Sequence, residues 1–430
     1  MTQPTPHGDM PESLAARTGA IRLLAHVLRD GRMLSDGASG LDGPAAARAL
    51  RLAGLTLRHM GQADAMLKTR MQRQPAAKIR DILRLALTEL CAEGSAAHGV
   101  VNDAVAMARM SPKTTKQAGL VNAVLRGLTA DMPATLAEWE ALPAPTLPIW
   151  LRKPLAASWG RDRLEAIEAA HLRGAPLDLT PKPGVSVPGA VELPTGSLRL
   201  EGGQVSILPG FAEGDWWVQD AAAAIPVRLL GDLTGLRVLD LCAAPGGKTL
   251  QLASGGAHVT ALDISGKRLR RVSQNLDRTG LTAEIVEADA LEWTPEEPFD
   301  VVLLDAPCTA TGTIRRHPDL PHLREARDIE TLTKLQYQLI DRALTFLNPG
   351  GRLVFCTCSL LAVEGEHQVS AALKRHPSLS AIPLDPASFG LPEAAASPHG
   401  LRLLPDLWAD RGGLDGFYMA VLRTAGATPA

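Results

Sequence analysis

The sequence predicts a multidomain protein, with an all-α bundle in front, a small mixed α/β module in the middle, and an α/β domain on a mostly parallel sheet behind. Three observations point there. At 430 residues the chain is longer than one hydrophobic core organises, since domains usually hold about 100–150 residues. From Leu14 to Leu128 apolar residues recur at spacings of three and four with few β-branched runs, the period of helices with one buried face. From Arg237 onward short apolar runs alternate with longer helical stretches, the pattern of βαβ units.

The first segment, residues 1–130, takes its helical reading from runs such as Ile79, Ile82, Leu83, Leu85, Ala86 and Leu90. It holds 17 Lys and Arg against 10 Asp and Glu, a surplus of +7 in a chain whose net charge is −2. Lys68, Arg70, Arg73, Lys78, Arg80 and Arg84 lie close together with only Asp81 opposing them. Charge alone leaves two readings open, a track for a phosphate backbone and a solvated helix face. Residues 131–214 are punctuated by Pro143, Pro145, Pro148, Pro176, Pro181, Pro183, Pro188 and Pro194, which reads as a linker followed by a small α/β module.

In residues 215–430 the expected strands are Arg237–Leu241, His258–Ile264, Glu284–Glu287, Asp300–Leu304 and Arg352–Cys356. Helices are expected over Lys267–Arg278 and Glu325–Leu347, the second stopped by Asn348, Pro349, Gly350 and Gly351. Gly416–Leu422 reads as a late strand, antiparallel and at the sheet edge. No stretch reaches the roughly 18 uninterrupted apolar residues of a membrane span, so a soluble, cytoplasmic chain without membrane contact is expected. Cys91, Cys242, Cys308, Cys356 and Cys358 form no CxxC pair, which argues against a disulfide framework or a metal site.

The stretch Val238 to Thr249 carries the most chemistry. An apolar strand ends in an acid, turns through small residues and Gly246-Gly247, then enters a helix. Open α/β sheets bind ligands at such carboxyl ends, where backbone N–H groups approach the ligand closely. A phosphate-binding P-loop would need glycine five positions before Gly247, where this chain has Cys242, and no GxGxxG follows the strand. A nucleoside without a pyrophosphate remains. Asp263, ending the second strand, would grip its ribose, and Asp289, ending the third, would meet an adenine edge. S-adenosylmethionine (SAM) is the ligand that suits this set.

Asp305-Ala306-Pro307-Cys308 ends the fourth strand and Thr357-Cys358-Ser359 the fifth, so both thiols should face one crevice. Carbon 5 of cytosine is a weak nucleophile, but a thiolate adding at C6 turns the ring into an enamine able to accept a methyl group. Asp305, hydrogen-bonded to the N3 and amino edge, would stabilise the adduct. Lys248 would hold that carboxylate and lower the pKa of a nearby thiol. Cys91 fits a helical apolar face, and Cys356 points away from Cys358 by strand alternation. Arg315, Arg316 and His317 would hold substrate phosphates or solvate a loop.

The strings DLCAAPGGKT (Asp240–Thr249), DAPCTATGTIRRHP (Asp305–Pro318) and TCSL (Thr357–Leu360) resemble the signature motifs of the RNA 5-methylcytosine methyltransferases of the Nop2/Sun class. The resemblance implies a Rossmann-like SAM-dependent catalytic domain, Cys358 as nucleophile and Cys308 as the thiol that assists breakdown of the adduct. It implies a donor site of Cys242, Ala243, Ala244, Pro245, Gly246, Gly247, Lys248, Asp263, Asp289 and Asp305. Gly119–Arg126, Leu208–Phe211 and Val218–Asp220 resemble the branch of that class acting on bacterial small-subunit rRNA, whose helical domain is NusB-like. Thr309 stands where the family usually has serine, and Val363–Glu366 where an acidic run containing asparagine is usual.

The resemblance therefore implies SAM-dependent methylation of C5 of one cytosine in small-subunit (16S) rRNA, with RNA as partner and a monomer as the working form. The alternatives are the same chemistry on tRNA or another rRNA site, and a NusB-like RNA-binding antitermination module with vestigial catalysis.

Overall fold

Alanine- and leucine-rich segments with few β-branched runs favour helix, and in the computed structural model, which describes residues 10–37 and 39–426, they form the first of two units. That unit runs to Arg152 and takes in Arg316–Arg324 from far along the chain. Its helices include Glu12–Leu28, Gly43–Arg58, Met60–Lys68, Ala77–Cys91, Ala97–Arg109, Ala118–Thr129 and Met132–Glu140. Ala77–Cys91 is central, with Ile79, Ile82, Leu83, Leu87 and Leu90 all buried. Its buried charges are paired, as burial requires. Glu89 meets Arg17 at 2.8 Å, and Arg84 meets Asp64 at 2.5 Å and Asp81 at 3.2 Å.

The unit does not stop near residue 130, where composition changes, because Trp139 is buried in the same core. The segment 131–214 is accordingly shared between the two units rather than forming one body. From the distant excursion, the short helix Leu320–Leu323 places Leu323 against the helical core, and the Leu34 N–H donates to Asp319 Oδ2 at 2.7 Å.

The second unit holds Lys153–Arg315 and Glu325–Ala430. Four short strands, β1 Leu177–Pro181, β2 Val191–Glu192, β3 Leu198–Leu200 and β4 Trp216–Val218, make an antiparallel sheet in the order β2-β3-β1-β4. The main sheet contains β5 Arg237–Leu241, β6 His258–Asp263, β7 Glu284–Glu287, β8 Phe299–Asp305, β9 Leu347–Thr357, β10 Ser380–Ile382, β11 Ala396–Ser397, β12 Gly400–Leu403 and β13 Phe417–Arg423. Its order is β11-β12-β13-β9-β8-β5-β6-β7, with β10 also on β13. Pairing is parallel from β7 to β9 and antiparallel beyond. The strand order reverses between β5 and β8, the switch point at which such sheets open a crevice.

Two sequence expectations are corrected. The late strand is not at the edge: β13 lies between β9 on one side and β12 and β10 on the other. Its run Phe417–Leu422 is buried throughout, the mark of an interior strand. The stretch Asn348–Gly351 does not merely stop a helix. The helix ends at Leu344, and β9 already includes these residues, its pairing with β8 shifting register between Phe299 and Val301. Among the described residues no helix is long and apolar enough to cross a membrane.

Candidate active site

β5 ends at Leu241 and the chain turns back through Cys242, a non-glycine residue at φ +66°, and Gly246 at φ +104°, before the helix Gly247–Ser254. Glycine suits this second position, since side-chain-bearing residues avoid it and a Cβ there would press on Val272 at 3.2 Å. The turn sets a helix N-terminus, with its partial positive charge, at the sheet's carboxyl end. Thr249 Oγ1 donates to Asp240 Oδ2 at 2.6 Å, while Asp240 Oδ1 is buried without a partner. Burial pushes the Asp240 carboxyl up to about 7 against the opposing Thr249 hydrogen bond and Lys248 charge, with Asp305 and Asp263 adding to the rise.

Asp263 closes β6 and is itself buried, accepting from Ser265 N–H at 3.0 Å and Ala244 N–H at 3.2 Å and pairing with Arg268 at 3.3 Å. It fastens the glycine turn to the neighbouring strand. Asp289 follows β7, half-buried, and accepts from Leu291 N–H at 2.9 Å. Ile264, next to Asp263, is 68% exposed. Carboxylates for hydroxyl and amino groups beside an uncovered apolar side chain are the chemistry a nucleoside needs, so the donor set fits SAM. Burial, helped by the charges of Asp263 and Asp305, drives the Cys242 thiol well above its ordinary value.

Asp305 closes β8 in register with Cys356 of β9. Lys248 Nζ donates to Asp305 Oδ2 at 2.6 Å and lies 5.2 Å from the Phe417 ring centroid. Burial alone would lower the Lys248 pKa, but the charge and hydrogen bond of Asp305, together with the charges of Cys356 and Asp240, outweigh it and the ammonium is held. Lys248 acts to lower the Cys356 thiol, but burial and the Asp305 charge raise it by more. Cys356 is fully buried, as strand alternation predicts, yet its Sγ also reaches Asp305 Oδ1 at 3.6 Å.

The Cys308 and Cys358 sulfurs lie 3.5 Å apart, both half-buried. The hydrogen bond to Cys358, then burial, then the charges of Cys358 and Glu364 hold the Cys308 pKa well above its ordinary value.

Sequence reasoning missed the group beneath the thiols. Glu364 is fully buried and receives hydrogen bonds from Thr309, Ser359 and Gln336. It sits within the run Val363–Glu366, whose unusual composition was the one signal available. Arg315 is not a phosphate ligand, being buried between Asp220 at 2.9 Å and Asp415 at 2.7 Å. Arg316 and His317 belong to the helical unit. In the basic cluster of that unit, Arg84 is consumed by its buried pairs and Arg70 pairs with Glu138, whereas Lys68 and Arg73 are exposed.

Comparison with known proteins extends over most of the chain. Residues 229–423 match the family model described as 16S rRNA methyltransferase RsmB/F, and residues 14–130 match that of the NusB family. A ribosomal RNA small subunit methyltransferase B from Pseudomonas syringae pv. tomato is 38% identical over 80% of this chain and 81% of its own length. The protein of that name from Xanthomonas campestris pv. campestris is 36% identical, covering 96% of this chain and 98% of its own. A solved methyltransferase homologue from Pyrococcus horikoshii has a TM-score of 0.54 at 28% identity, covering 63% of this chain and 93% of that one.

Proposed function

The chain belongs to the 16S rRNA methyltransferase RsmB/F family, and on that premise we propose that it methylates C5 of one cytosine in small-subunit rRNA, with SAM as donor. The observation that carries this reading is the pair of sulfurs 3.5 Å apart on the strand ends beside the Asp305–Lys248 pair. SAM, held by the Cys242–Lys248 turn with Asp263, Asp289 and Asp305, supplies an electrophilic methyl group. Cys358 adds to C6 as thiolate and so places electron density on C5. Asp305, one-third exposed on its side chain, bonds to the N3 and amino edge, and Lys248 fixes its orientation. After transfer a base takes the C5 proton, the C5–C6 double bond re-forms, and the C6–S electron pair returns to Cys358. Cys308 assists that departure.

The target base must leave its stack to reach a crevice of this kind. The NusB-like helical unit, with its basic surplus and exposed Lys68 and Arg73, docks the RNA backbone. The helical unit, which runs to Arg152 and takes in Arg316–Arg324, does the docking and the second unit the catalysis, and the protein acts as a cytoplasmic monomer. Bisulfite sequencing of rRNA and tRNA from a deletion strain tests the target. Loss of one modified cytosine in small-subunit rRNA is expected, and loss confined to tRNA would redirect the activity.

A further inference from the structure

Glu364 is a carboxylate buried to 0% exposure with no cation in ion-pair reach among the described residues. Neutral donors satisfy it, and they flank the two cysteines. Its Oε1 accepts from Thr309 N–H at 3.0 Å and Gln336 Nε2 at 3.1 Å, and its Oε2 from the Thr309 and Ser359 hydroxyls, each at 2.5 Å. Thr309 follows Cys308, and Ser359 follows Cys358. The residues on the other sides are tied in as well: Thr357 Oγ1 donates to the Glu364 carbonyl at 3.0 Å, and Gln336 Nε2 donates to the Pro307 carbonyl at 2.8 Å. Thr309 and Ser359, one neighbour of each thiol, thus bond to the Glu364 carboxylate, while Thr357 bonds to its backbone carbonyl and Pro307 to the glutamine that the carboxylate holds. A glutamine in its place has one acceptor oxygen and would turn an NH₂ toward donors.

We propose that Glu364 is a positioning residue for methyl transfer, its carboxylate locking the two cysteine-bearing turns so that the Cys308 S–H stays aimed at the Cys358 sulfur while the adduct breaks down. This rests on the covalent reading above. In the breakdown step the C5 proton goes to a base and the C6–S pair to Cys358 Sγ. The aligned Cys308 S–H then stabilises the departing thiolate by hydrogen bonding. Buried polar networks of this kind hold geometry only while every member is satisfied, so losing the carboxylate should release the alignment without emptying the donor site.

The test uses the full chain, small-subunit rRNA and SAM, and follows turnover together with the protein–RNA adduct on denaturing gels. Glu364→Gln is expected to lose about 100-fold in kcat, the cost of misplacing a reacting group by about 1 Å, and to accumulate adduct, with SAM affinity unchanged, and Glu364→Asp to recover part of the rate. A folded Glu364→Gln with wild-type turnover and adduct lifetime overturns the proposal. So does one in which SAM affinity, turnover and melting temperature fall together, or one that forms no adduct. If Glu364→Gln does not fold, Ser359→Ala and Gln336→Ala each delete one donor, and a wild-type adduct lifetime in both overturns it equally. Cys358→Ser, run in parallel, separates the levels. Turnover there defeats the covalent reading, whereas a dead Cys358→Ser beside a normal Glu364→Gln defeats only the role of Glu364.

Discussion

Cys308 and Cys358 have the same side chain and, in the covalent reading, different roles. Cys308 keeps its proton because Cys358 and Glu364 face it from a buried position, which suits a thiol that assists rather than attacks. Cys358→Ser should therefore lose turnover by on the order of 10⁴-fold or more, as expected when a covalent nucleophile is removed, and trap no RNA. Cys308→Ala should accumulate adduct, and the reverse pattern on a denaturing gel would exchange the roles. Asp240 gives a prediction in pH. An unfolded aspartate loses its proton near pH 4, whereas the folded residue keeps it to about 7. Between those values the folded state binds the extra proton, so this group's contribution to stability falls as pH rises through the window and is flat above it. Asp240→Asn removes that slope, and its melting temperature relative to wild type should climb from about pH 4 to about pH 7. Parallel curves would show that Asp240 ionises normally.

At the level of elements, the legible parts were those whose chemistry is local. The strands β5 and β7 fall where period and turn signals put them, and Asp263 and Asp305 close β6 and β8 as read. Cys308 and Cys358 could be set on one crevice because each ends a strand. Glu364 was not legible because its donors come from Thr309, Gln336 and Ser359 on three separate elements, and only tertiary packing brings them together. The interior position of β13 was misjudged because its outer neighbours are short pieces with weak signals of their own. The loop after Cys308 is stitched in a way sequence does not disclose. Gly312 N–H donates to the Cys358 carbonyl at 2.9 Å, Gly416 N–H donates to the Gly312 carbonyl at 2.8 Å, and a Cβ on Gly312 would lie 1.9 Å from the Gly416 oxygen. Gly312→Ala should cost about 1–3 kcal/mol in denaturant unfolding and reduce adduct formation. A variant equal to wild type in both would mean that the loop accommodates the methyl group freely.

Across the whole molecule, the charge split was legible from composition, but which cations remain available for RNA was not, since ion pairing removes Arg70 and Arg84. Lys68→Glu with Arg73→Glu in the full chain should weaken RNA binding, flatten its logarithmic salt dependence by roughly one to two units, and leave SAM affinity alone. Equal loss of both affinities would move the RNA track elsewhere. Point substitution is the appropriate tool because the helical unit includes Arg316–Arg324, so cutting the chain near residue 130 would strip Leu320 and Leu323 of their surroundings. The same excursion sets an order for biosynthesis. Domains commonly fold as they leave the ribosome, first end first, at about 5–20 residues per second. Here the leading unit must wait, short of one short helix, until translation has passed Arg324, a delay of roughly 10–30 s at those speeds. During that interval the nascent protein is a natural client for chaperones that shield unfinished apolar surface.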